Sequence, residues 1–277
     1  MSQIARRLGR AILDLISRAR YLPKKMVSSP HSAESATKSR PLRKSLNGRP
    51  PKRDSNPEPQ LYEYYARLLA AHGPQHWWPG RTRFEVIVGA ILTQNTAWVN
   101  VERAIASLRR ARMLTPEAVD AAPAARLAAL IRSSGYFRQK AKTLKAFVRF
   151  LQKEYSGSLT RMFGQTTAVL REQLLRVRGI GPETADSILL YAGHHPVFVV
   201  DAYARRMLQR HALVEAKSSY EELRRFFEQR LPKDVSLYNE FHALIVRIGK
   251  DYCRKQHPRC SECPLQPLLP TAAQASA

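Results

Sequence analysis

Residues 174–192 read LLRVRGIGPETADSILLYA. An apolar helix end runs into Gly179-Ile180-Gly181-Pro182, and a second amphipathic helix follows. Two glycines one residue apart permit tight backbone geometry, and Pro182 suits the first turn of the helix after it. The spacing predicts a helix–hairpin–helix. Free N–H groups at the positive end of the second helix can hold an anion such as a phosphate oxygen. Any tight helix connection can use a Gly-x-Gly turn, so the stretch defines local structure before it defines a ligand.

Outward from the hairpin the pattern stays helical. LYEYYARLLAAHG, RFEVIVGAILTQNTAWVNVERAIASLRRA, RQKAKTLKAFVRFLQKEY and SLYNEFHALIVRIGKDYC repeat apolar residues at three- and four-residue intervals. Gly, Pro and Ser fall between such segments. Only PVFVV (196–200) reads as extended, and it is too isolated to build a sheet. The expected fold is all-α, with the ordered part at 60–268 and a tail at 269–277. Residues 1–22 have apolar residues at helical spacing with an Arg-rich face, the pattern of a targeting peptide or of a basic extension. Residues 23–59, rich in Pro, Ser, Lys and Arg, read as a linker or disordered arm.

The 277-residue chain carries 46 Lys and Arg against 22 Asp and Glu, a net charge of +24. A basic tail on a neutral domain does not explain this. Residues 1–58 hold 14 basic and 4 acidic side chains, leaving 32 against 18 beyond them. Both parts are basic, which favours a polyanion partner, most simply nucleic acid. The longest apolar runs, such as VIVGAIL at 86–92, are far short of the about 20 residues a membrane span needs. All three cysteines lie between 253 and 263, which reads as a metal site rather than a secreted disulfide framework.

Twenty residues past Gly181, Asp201 stands between an apolar run and a helix in VFVVDAYARRML. Alone, it is a helix N-cap. With ILTQNTAWVNVERA, SSGYFRQKAKTL, the hairpin, VVDAYARR and the C-terminal cysteines in this order, the chain resembles the endonuclease III-like DNA glycosylases of the helix–hairpin–helix superfamily over about residues 60–268. The resemblance implies two interleaved helical lobes with double-stranded DNA across the cleft, and a monomer. It implies a catalytic carboxylate at Asp201, where a negative charge stabilises the oxocarbenium formed as an N-glycosidic bond breaks. It places Gly179, Gly181 and Arg178 on the DNA backbone and Gln94 in the gap left by a flipped base. Tyr136 and Phe137 become the wedge from the other side, with ordinary core packing as the alternative.

The departures bear on the chemistry. Bifunctional relatives carry a lysine two residues after the second hairpin glycine, where this chain has Glu183. A glutamate forms no Schiff base, so a monofunctional glycosylase is expected. A bifunctional glycosylase/lyase for oxidised pyrimidines and a non-catalytic DNA binder remain the alternatives. Mismatch-specific relatives carry an acid where this chain has Gly89, and Glu85 lies one turn earlier. A base that already bears positive charge needs no acid, which points to alkylated purines such as 3-methyladenine. Trp77 and Trp78, in HWWPG (76–80), can attract such a cation through their faces, or seal a core. The chain looks most like the 3-methyladenine branch.

Cys253, Cys260 and Cys263 match the first three ligands of this family's [4Fe–4S] loop, and Leu269 stands at the fourth position. The alternatives are a cluster with one non-cysteine ligand, a three-iron form, a zinc site using His257, or no stable metal. Arg254, Lys255 and Arg259 in the loop can contact phosphates in any case. A cytoplasmic, nucleoid-associated location is expected if the source is bacterial, with organellar targeting by the basic N-terminus left open.

Overall fold

The structure, a computed structural model, describes residues 61–78 and 80–270. The readings of residues 1–59, and of the tail beyond 270, lie outside the described residues. The described residues form twelve α-helices and no strand. They are α1 (Leu61–His72), α2 (Arg83–Leu92), α3 (Trp98–Arg110), α4 (Pro116–Ala121), α5 (Ala124–Leu130), α6 (Phe137–Tyr155) and α7 (Leu159–Phe163). After them come α8 (Thr167–Leu175), α9 (Pro182–Ser187), α10 (Ala202–Arg210), α11 (Tyr220–Arg230) and α12 (Val235–Asp251). No helix among the described residues is long and apolar enough to cross a membrane.

The helix starts are written in the sequence. Thr82, Thr115, Ser158, Thr166, Asp201, Ser219 and Asp234 each accept a backbone N–H of the helix they open. Ser219 and Glu222 complete a capping box.

The helices form two lobes that the chain enters in the order first, second, first. In the first, α1 packs on α11 and α12, and α10 packs on α12. Tyr64, Leu68, Phe198, Phe227 and Phe241 are fully buried there, with the Phe198 and Phe227 rings stacked at 3.9 Å. In the second lobe, α6 is the axis on which α4, α5 and α7 pack, with Leu144, Phe147 and Leu151 buried along it. Helix α9 continues into a π-helical turn over Ile188–Ala192, which packs against both α2 and α12 and so joins the lobes.

PVFVV returns the chain to the first lobe. Val197 to Val200 are buried without strand partners, so side chains serve the backbone. Phe198 N–H donates to the Glu228 carboxylate at 3.0 Å, and Val200 N–H to the Tyr220 hydroxyl at 3.4 Å.

Two cationic side chains, one buried and one half-buried, tie separate helices together. Lys140 on α6 donates to the Leu92 carbonyl at 2.9 Å and the Ser134 carbonyl at 2.7 Å. Burial pulls its pKa down to about 8. Arg171 on α8 donates twice to Asp186 on α9, at 2.6 and 3.1 Å, and once to Glu221 on α11 at 2.5 Å. Asp186 is fully buried and also accepts from the Tyr220 hydroxyl at 2.9 Å.

The hairpin forms as its sequence predicts, between α8 and α9, with one difference. Gly179 has φ +90°, and a Cβ there would stand 2.1 Å from Thr143 Oγ1, so it has to be glycine twice over. Gly181 is extended and faces open space, so the fold does not require a glycine there.

Candidate active site

A cavity of about 180 Å³ opens between the lobes. Cavities of about 150 Å³ accept a single aromatic ring. One wall is aromatic. Trp77 and Trp78 come from the link between α1 and α2, and Trp98 is the first residue of α3. Trp98 meets Trp78 edge-on at 5.0 Å and Trp77 at 6.1 Å. Behind them Trp78 lies along Tyr191, from the π-helical turn, at 4.8 Å. Trp78 fits where it does because residue 89 has no side chain: a Cβ there would stand 3.2 Å from its ring. Both tryptophans are partly buried against the core and also face the cavity.

The opposite wall carries the ionisable groups. Asp201 divides its two oxygens. Oδ1 caps α10 by accepting Ala204 N–H at 2.8 Å, and Oδ2 lies 3.5 Å from His242 Nε2 on α12. Burial pushes the Asp201 carboxyl up, but the His242 imidazole and the N–H groups of Ala204 and Tyr203 more than offset it and hold the carboxyl below its ordinary range. The other imidazole nitrogen, Nδ1, meets the Tyr191 hydroxyl at 2.5 Å.

Glu183, in the first turn of α9, lines the same cavity from its solvent-exposed rim. The protein around it, and then the Asp201 charge, push its carboxyl up to about 7, against a smaller opposing effect of His242. Lys250, two turns beyond His242, also lines the cavity, its Nζ 5.9 Å from the Trp77 ring centre.

Gln94 closes one end. Its amide donates to the Gly179 carbonyl at 3.0 Å and to Thr184 Oγ1 at 2.9 Å, tying the segment after α2 to the hairpin. Tyr136 stands away from the core, 73% exposed, and opens α6 in a left-handed conformation with φ +46°. Core packing is therefore not its role. Phe137 is partly buried against the core, with the Arg132 and Arg138 guanidinium groups 5.7 and 5.9 Å from its ring centre. Arg178 is exposed beside the hairpin glycines. Glu85 belongs elsewhere: it is buried in a 2.7 Å ion pair with Arg109 and does not line the cavity.

Trp98, Tyr191, His242 and Lys250 were not legible as site residues. The available signal was His242, a polar residue in the apolar stripe of α12, with Val246 and Lys250 following at four-residue steps on the same face.

The cysteines gather away from this cavity. Cys253, Cys260 and Cys263 line a small pocket together with Leu269, which is buried. Arg206 donates to the Cys253 carbonyl at 2.6 Å, and Arg210 to Cys253 Sγ at 3.2 Å and the Arg254 carbonyl at 2.6 Å. Burial and the neighbouring cysteines push the Cys263 thiol up to about 11, with a backbone N–H of Leu265 opposing them. His257 is exposed and outside the pocket. Among the described residues no group of three or more His, Cys, Asp or Glu is arranged around a metal position. A four-iron cluster uses four thiolates, and a hydrocarbon side chain fills the fourth place, so this donor set does not fit one.

In chemical terms the cavity offers an electron-rich aromatic face and an ionised carboxylate, with a second carboxyl that titrates near neutrality.

Residues 88–233 match the family described as HhH-GPD superfamily base excision DNA repair protein. A candidate DNA repair glycosylase of Methanocaldococcus jannaschii is 45% identical over 209 residues, covering 74% of this chain and 94% of that protein. A 3-methyladenine DNA glycosylase of H. pylori, solved with 1,N6-ethenoadenine bound, superposes with TM-score 0.61 at 30% identity, over 69% of this chain and 97% of that one. Endonuclease III in a trapped covalent intermediate with DNA shares the fold with TM-score 0.68 at 22% identity, over 79% of this chain and 98% of that one.

Proposed function

The chain belongs to the HhH-GPD superfamily of base excision DNA repair proteins and is a DNA repair glycosylase, and we propose that it hydrolyses alkylated purines from double-stranded DNA without cutting the strand. The observation that carries this reading is the pairing of a tryptophan-walled cavity with Asp201 on its opposite wall and Glu183 where a nucleophilic lysine would stand. A cationic base is attracted to an indole face by about 0.5–2 kcal/mol, the more so when desolvated. The relative solved with an alkylated adenine bound supports the choice of purine.

In this reading the hairpin N–H groups and Arg178 hold the phosphate beside the lesion. The base leaves the stack at a cost of a few kcal/mol, Gln94 fills the gap, and Tyr136 wedges the duplex open. Breaking the bond to the base leaves positive charge on the sugar, and the Asp201 carboxylate stabilises it. Gln94 already holds a hairpin carbonyl, so the plug and the phosphate grip form one piece.

One observation favours a second reading. Lys250 brings an amine to the cavity, and a lysine there could attack the sugar and lead to strand cleavage. A methylated, end-labelled duplex separates the two. Base release with breaks only after hot alkali supports hydrolysis alone. Breaks without alkali, with a borohydride-trapped adduct that Lys250→Ala abolishes, establish the lyase.

A further inference from the structure

We propose that Glu183 is the proton donor to the departing base, so that the enzyme also releases uncharged purine lesions. The inference rests on the reading just given and extends it.

The geometry comes first. An acid delivered from α2, as Gly89 would allow if replaced, is excluded here because Trp78 occupies that space. Glu85, the other carboxylate on α2, is committed to Arg109. The wall facing α2 carries Glu183 instead, at the start of α9 and on the same cavity as Asp201. Its carboxyl oxygens have no ion pair or hydrogen bond with the described residues; only its backbone carbonyl is engaged, by Ser187. The ionisable groups that face it are Asp201 at the start of α10, Tyr203 on α10, His242 and Lys250 on α12 and Tyr191 on the π-helical turn; α2 and α3 present none to the cavity.

Two carboxyls sharing one site divide roles when their environments push their pKa values apart. Here Asp201 is held low by His242 and backbone N–H groups, while Glu183 is raised to about 7 by its surroundings and by Asp201 itself. At neutral pH the first is an anion, placed in this reading beside the sugar, and the second is about half protonated, placed beside the base.

The step balances. Glu183 gives its proton to a ring nitrogen of the purine as the C1′–N bond breaks, and the bonding pair leaves with the base. Water adds its oxygen to C1′ and returns a proton to the Glu183 carboxylate. A base that is already cationic needs no such proton, so the two substrate types should separate.

The experiment measures single-turnover base release by the full-length protein across pH 5 to 9. One duplex is methylated and supplies cationic bases; the other carries 1,N6-ethenoadenine, an uncharged alkylated purine. Release of the uncharged base should fall about tenfold per pH unit above about 7 and drop about 100-fold or more in Glu183→Gln. Release of the cationic base should stay level over that range and change only a few-fold. Equal losses on both substrates in Glu183→Gln, an unchanged ethenoadenine profile, or a wild-type protein that releases only cationic bases would each overturn the proposal. Loss of both releases in Asp201→Asn tests the underlying reading separately. A wild-type protein that releases neither base removes that reading and this one together.

Discussion

His242 Nε2 stands 3.5 Å from Asp201 Oδ2 while His242 Nδ1 meets the Tyr191 hydroxyl at 2.5 Å. The carboxylate proposed to face the sugar is therefore braced by a side chain from α12 in the first lobe, and through it by the turn that joins the lobes. Asp201→Asn should cut base release by at least 100-fold, as loss of a preorganised electrostatic contact does, with duplex affinity retained. His242→Phe removes a group that lowers the Asp201 pKa. The carboxylate then protonates at higher pH, so the acid limb of the pH–rate profile should move upward. An unmoved limb would detach His242 from the mechanism.

The hairpin glycines should respond differently. Gly179→Ala places a methyl 2.1 Å from Thr143 Oγ1 at φ +90°, and should cost about 1–3 kcal/mol, read as a lower Tm. Gly181→Ala meets open space in an extended conformation. It should leave Tm nearly unchanged and weaken duplex binding, since the added methyl stands where a phosphate is proposed to approach. Equal effects on Tm would contradict this division.

Arg171→Ala leaves Asp186 buried with only the Tyr220 hydroxyl among its side-chain partners. Removing one member of a buried ion pair typically costs about 3–5 kcal/mol. Chemical denaturation should show a loss of that size, whereas Arg176→Ala, whose exposed pair with Glu172 lies one turn on, should change stability by less than about 1 kcal/mol.

The cysteine loop gives a gain-of-function test. Purified protein should lack the visible charge-transfer band of a four-iron cluster. Leu269→Cys, which restores a fourth thiol to the pocket lined by Cys253, Cys260 and Cys263, should acquire that band after reconstitution with iron and sulfide. A cluster in the wild-type chain would show that another ligand completes the set.

If the hairpin and Arg178 hold duplex DNA, affinity should fall with salt at a log–log slope of about −0.9 for each neutralised phosphate. Arg178→Ala should make the slope shallower by about one unit. A flat dependence would remove the phosphate contacts from the picture.

Much of the molecule was readable in its sequence, for identifiable reasons. The helices follow from apolar spacing and from caps such as Thr82, Thr166 and Asp234, which act locally. Asp201, Gln94, Glu183, Trp77 and Trp78 were found as site candidates because short motifs flank them, and they do line one cavity. Lys250 and His242 were not, because periodicity says that α12 has an apolar face without saying which lobe it meets. Glu183 was legible only as a missing lysine. Its acid character comes first from desolvation by the protein around it and then from Asp201, a neighbour in space that no local motif reveals. Leu269 was legible as the residue at the fourth ligand position but not as a buried one, since a lone leucine after a cysteine loop carries no periodicity.

Lys140 has a consequence for how a lesion would be found. One ammonium grips the Leu92 carbonyl, two residues before Gln94, and the Ser134 carbonyl, two residues before Tyr136. If Gln94 is the plug and Tyr136 the wedge, as proposed above, both hang from a single peg, like the jaws of a caliper. Such an instrument does not close around whatever it meets. On that proposal the duplex would do the yielding, and base pairs that already part easily would be the ones opened.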